Sequence, residues 1–146
     1  MAINPTVGTR TSLTVTGLST LASATYVVSN AITPDTNNPV DVVVEVALAT
    51  TNTPTGNKNA EVFVKLSLDG TNFTSGPESG TTTTDEPDLI RLGTVPMKTA
   101  TTTHRSIFSI GQALGFIPHS AKIVIKNDLG VALTSGAVYT SEISIP

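Results

Sequence analysis

The chain has no cysteine and no tryptophan among its 146 residues. The first absence excludes disulfides, thiolate zinc sites, iron–sulfur clusters and cysteine nucleophiles together. It leaves the redox compartment open, since a chain without thiols works anywhere. Aromatic residues are 4% of the chain, and sugar clefts usually carry aromatic platforms. That scarcity weighs against a glycosidase and against a glycan-binding module. Charged residues are 13%, about half the usual quarter. With a formal net charge of -3, the chain has no long-range attraction for phosphate backbones, so no nucleic-acid partner is expected. No apolar run approaches the roughly 18 residues that span a bilayer. The start, Met1-Ala2-Ile3-Asn4-Pro5, lacks the basic and apolar regions of a secretory signal. The reading is of a chain outside the membrane.

Thr, Val, Ser and Gly are abundant instead, and the β-branched residues among them favour strands. The clearest pattern runs from Val40 to Phe73. Val40, Val42, Val44, Val46 and Leu48 fall on even positions, and so do Val62, Val64, Leu66 and Leu68. Side chains alternate faces along a strand, so each arm presents one apolar face. Asp41, Glu45, Lys65 and Ser67 occupy the opposite, more solvated face.

Shorter alternating segments flank these arms. Leu13 with Val15 marks one, and Ala24, Tyr26 and Val28 mark another. Ile90 with Leu92, Phe108 with Ile110, and Ala121, Ile123 and Ile125 mark three more. The last runs from Val138 to Ile145, with Tyr139, Ile143 and Ile145 on one side. Gln112-Ala113-Leu114-Gly115 predicts a single helical turn, stopped by Gly115 and Pro118. Eight strand candidates separated by turn formers predict an all-β fold. The expected form is a single antiparallel β-sandwich, either jelly-roll or immunoglobulin-like Greek key.

The predicted organisation is an N-terminal arm at residues 1–11 and one sandwich domain over 12–146. The arm reads as extended, or as a frayed first strand. The connection at 50–59 contains no apolar residue between Thr50 and Asn59, so it is expected to project into water. Residues 74–88, rich in Thr, Gly, Ser and Pro, read as the least structured part. Loops this long inside a domain are uncommon and tend to be functional or mobile.

Candidate chemistry is sparse. His104 and His119 are the only histidines, and no Gly-x-Ser-x-Gly elbow accompanies them. Both read as surface polar residues. Asp85, Glu86 and Asp88 form the densest acidic group, but they lack a calcium-loop spacing and Pro87 interrupts them. They read as a solvated turn. The aromatics Tyr26, Phe63, Phe73, Phe108, Phe116 and Tyr139 lie mostly in or beside apolar strands, where packing is the default role. The Thr runs 81–84 and 101–103 are too isolated for a repeat. No catalytic, cofactor or metal residue is assigned.

Three phrases carry a family resemblance. They are Val-Lys-Leu-Ser-Leu-Asp-Gly-Thr-Asn-Phe-Thr-Ser-Gly-Pro at 64–77, Thr-Thr-Asp-Glu-Pro-Asp-Leu at 83–89, and Gly-Phe-Ile-Pro-His-Ser-Ala-Lys-Ile-Val-Ile-Lys-Asn-Asp at 115–128. In style the chain resembles small β-sandwich virion proteins of tailed bacteriophages. The resemblance implies a non-enzymatic structural role, foremost a capsid decoration protein on the head exterior, with a tail or neck component as the alternative. It implies the major capsid protein or other virion proteins as partners, and self-association in a symmetric lattice. From a different class, a host-surface or glycan-binding module is the competing expectation. The contacts would fall on the 1–11 arm, the 50–59 and 74–88 loops, or an edge strand.

Overall fold

A computed structural model of the chain describes residues 4–34, 39–78, 81–82 and 89–145. The strands are β1 (Thr6–Val7), β2 (Thr11–Leu13), β3 (Tyr26–Val28), β4 (Pro39–Ala49) and β5 (Asn59–Ser67). They continue with β6 (Thr81–Thr82), β7 (Ile90–Pro96), β8 (His104–Ser109), β9 (Ser120–Asn127) and β10 (Ser135–Ser144). One short helix, α1 (Ile110–Leu114), and a 3-10 turn at Leu18–Thr20 complete the elements.

Two antiparallel sheets stack face to face. Sheet A runs β1-β10-β4-β8, with β2 also paired to β10. Sheet B runs β6-β3-β9-β5-β7. β1 and β2 behave as one interrupted strand, since both lie antiparallel to β10 and their registers differ by one residue. Counted so, with β6 as a short extra edge, the strand order is that of a jelly roll, which separates it from the immunoglobulin-like alternative. Of the two readings of the N-terminal segment, the described part forms a first strand. Thr6 pairs with Ser144, Val7 with Ile143 and Thr11 with Thr140.

The two strongly alternating arms do not pair with each other. β4 lies between β10 and β8 in sheet A, while β5 lies between β9 and β7 in sheet B. They face one another across the core. Val42, Val44, Val46 and Leu48 meet Val62 and Val64 there, all buried, together with Ile123, Ile125, Val95 and Val138. Each such side chain contributes about 1.5–3 kcal/mol on burial. The pattern fails at its ends. Val40 is exposed beside a register shift against β10, and Leu68 is 88% exposed in the turn after β5.

Sheets A and B close on each other along β7 and β8. Gly93, where β7 is bulged against β5, lies under the Phe108 ring, and a Cβ there would come within 2.7 Å of it. At one end the 50–59 connection does not stand away from the body as its composition predicts. Thr55 and Gly56 donate to Leu129 O, both at 2.9 Å, and Asn57 donates to Asp128 O at 3.0 Å. Pro54 is buried. The absence of apolar side chains hides this docking, because the backbone makes it. Asn127, fully buried, ties the same end together. Its Nδ2 donates to Leu21 O and Val131 O, and its Oδ1 accepts from Leu129 N, all at 2.9 Å.

The helix forms where predicted. Ser109 caps it by accepting from Gln112 N at 2.9 Å, and Gly115 ends it in the left-handed region at φ 77. Asp41 reinforces the cap, accepting from Gly111 N at 2.8 Å and from the Ser109 hydroxyl at 2.6 Å.

Candidate surface: the outer face of sheet A

The outward faces of the two sheets are built differently. On sheet B, the outward residues Tyr26, Val28 and Val124 are nevertheless buried, with Phe63 and Leu89 packed against them. Lys65 belongs to this face and is fully buried. Its Nζ donates to Pro77 O at 2.7 Å and Gly76 O at 3.1 Å, and lies 3.2 Å from Glu78 Oε1. Residues 76–78 of the expected 74–88 loop are therefore fastened over the sheet. Thr81–Thr82 add a short strand beside Tyr26 and Val27. The remainder of that loop, including Asp85, Glu86 and Asp88, lies outside the described residues.

Sheet A has no such cover among the described residues. Because the even positions of β4 point inward, Val43 and Glu45 point out. Their cross-strand partners Ser141 and Tyr139 of β10, and Ser109 and Ile107 of β8, point out with them. Val7, opposite Ile143, joins the same face. Val7 is 69% exposed and Ile107 is 68% exposed. An antiparallel sheet with one wet face normally carries polar residues there. Here Val7, Val43, Ile107, Tyr139 and Ile143 line a shallow groove of about 330 Å³.

Charges cross this groove. Arg10 Nε and Nη2 donate to Glu45 Oε2 and Oε1, both at 3.0 Å. The guanidinium carbon lies 3.2 Å from the centre of the Tyr139 ring, a stacked cation–π contact. Arg105 Nε approaches Glu45 Oε1 at 3.3 Å. The Arg10 hydrogen bond, with lesser contributions from Arg105, holds the Glu45 carboxyl below its ordinary value. The same hydrogen bond raises Arg10.

Sequence pattern groups Tyr139 with Ile143 and makes core packing the default for Tyr139, whereas the structure places both on the outer face. Val138, next to Tyr139 and buried in the core, turns the odd-numbered residues of β10 outward. The Arg10–Glu45–Arg105 cluster has no signal in the sequence, because its members are 35 and 60 positions apart and only the strand order brings them together.

The other expected positions are scattered. His104 is half-buried at the start of β8, with Thr99 Oγ1 3.5 Å from its Nε2. His119 is exposed in the turn before β9, beside Gly70. No group of three His, Asp or Glu residues suited to a metal ion occurs among the described residues. A groove of about 600 Å³ runs along the N-terminal edge, with Thr6, Thr11, Ser12, Thr33 and Thr140 beside Leu13 and Ile32 in its lining. In the turn after β5, Asp69 accepts from Thr71 N, Asn72 N and Asn72 Nδ2 at 2.7–2.8 Å. These donors hold its carboxyl far below the ordinary range. That carboxylate is occupied in shaping the turn.

No protein-family model matches the chain, and no curated protein matches it.

Proposed function

We propose that this chain is a non-enzymatic structural protein of a tailed-bacteriophage virion that binds the outer surface of the capsid and stabilises it. Its partners are the major capsid protein and, in the assembled lattice, further copies of itself. The observation that carries this reading is the apolar groove on the outer face of sheet A, where Val7 and Ile107 stand exposed and no other described element packs over them, on a chain low in charge. Exposed apolar patches on folded domains mark contact surfaces. The resemblance of residues 64–77, 83–89 and 115–128 to small virion proteins supplies the kind of assembly. Jelly rolls serve in viral capsid and lectin domains alike, so the fold by itself does not choose between them. Many identical weak contacts over a symmetric shell add up to strong attachment.

Cryo-electron microscopy of the source particle tests the proposal. Density for this chain at regular sites on the head exterior is the expected result. Density confined to the neck or tail moves the role within the virion. Absence of the chain from the particle overturns the proposal and returns the glycan-binding alternative.

A further inference from the structure

We infer that the face of sheet A centred on Ile107 is the docking surface, and that its occupant is a protein segment pairing apolar side chains with a carboxylate. The inference rests on the virion reading and names the surface and the chemistry by which the shell is gripped.

Three observations carry it. First, the chain covers the outer face of sheet B with its own residues 76–78 and Leu89, yet leaves Val7 and Ile107 on sheet A in water. Second, this surface is stiff. It sits on β4 and β10, the two longest strands, paired along most of their length, so docking costs little ordering. Third, the charge beside the groove is locally unbalanced. Arg10 and Arg105 share the single carboxylate of Glu45, and two guanidinium forks carry far more N–H donors than one carboxylate can accept. Both arginines are more than half exposed. Asp41, at the far end of the face, keeps its negative charge but points it at Val42 N, Gly111 N and the Ser109 hydroxyl rather than at either arginine. An excess positive charge beside an apolar groove, on a chain of net charge -3, fits an incoming carboxylate. It disfavours a two-fold contact of this face with itself, which would set arginine against arginine.

The test uses shells purified from particles that lack this chain, to which the full-length protein is added back and co-sedimented. Ile107→Asp is expected to weaken binding at least tenfold, and Ile107→Thr, which keeps β-branching, several-fold. Arg105→Glu is expected to weaken binding most at low salt, converging on the parent as salt rises. Ile107→Asp and Arg105→Glu each set a second carboxylate beside Glu45 and should lower the unfolding temperature somewhat. Unfolding temperatures that stay well above that of the assay, with Ile107→Thr near the parent, exclude a folding defect. Leu68→Asp, on the exposed turn at the end of the molecule, is expected to leave binding unaltered. Parent binding with Ile107→Asp and Ile107→Thr both within twofold of it overturns the surface and leaves the virion role standing. Arg105→Glu binding as tightly as the parent at low salt overturns the carboxylate. Failure of the parent chain to bind the shells overturns the virion role itself, and this inference with it.

Discussion

Lys65 is the residue on which alternation alone misleads. It falls on the polar side of β5, yet it has no exposed surface, and its ammonium reaches the Gly76 and Pro77 carbonyls. Glu78 is 76% exposed, so its share of the pairing is screened by water. The two carbonyls do most of the holding. Lys65→Ala should therefore cost about 2–4 kcal/mol in chemical denaturation, from lost packing and orphaned acceptors. Glu78→Gln should change little. Asp69 and Glu45 give the chain an acid sensitivity. Both carboxyls are depressed in the folded state. Their contribution is complete above the unfolded-state value of about 4 and is lost as pH falls through that value toward the lower folded one. Asp69→Asn should thus be less stable than the parent at neutral pH. The gap between the two unfolding temperatures should narrow as the pH is lowered past about 4.

At the level of elements, the connections hold the sandwich ends more tightly than their composition indicates. Gly56 lies against the Asp128–Gly130 turn, where a Cβ would meet Asp128 O at 2.6 Å and Gly130 N at 2.9 Å. Both obstacles are backbone. Gly56→Ala should lower stability by about 1–3 kcal/mol, read as a fall in unfolding temperature. Gly115 is the useful contrast. It needs a left-handed conformation at φ 77, but nothing lies within 4 Å of a Cβ there. Gly115→Ala should cost only the conformational strain, about 1 kcal/mol. The difference between these glycines is a difference of close approach, which no sequence pattern reveals.

On the scale of the whole molecule, the N-terminal strand segments protect β10. Without them, one side of a ten-residue strand would offer unpaired N–H and C=O groups to other chains. Deleting residues 1–13 should lower the unfolding temperature and produce self-association in light scattering, whereas the intact chain keeps that edge paired. Arg10 contributes to the same attachment through Glu45 and Tyr139.

The all-β character, the positions of the longer strands and the inward faces of β4, β5 and β9 were legible in the sequence, whereas the two-residue strand β6 was not, since it falls in the Thr-rich 74–88 stretch that reads as loop. A strand exposed on one side must alternate with a period of two, and Val, Ile and Thr write that period plainly. The single helical turn was legible for a similar local reason, since Gly115 and Pro118 stop it. Tertiary structure alone decided which strands are neighbours. The two best arms sit in opposite sheets, and nothing local distinguishes a hairpin from a crossover when the connection is polar. It also decided which face of β10 is wet, and so whether Tyr139 and Ile143 belong to the core or to the surface. Arg10, Glu45 and Arg105 meet for that reason only: strand order is set by the burial of the whole core at once, and a surface cluster inherits its membership from that choice.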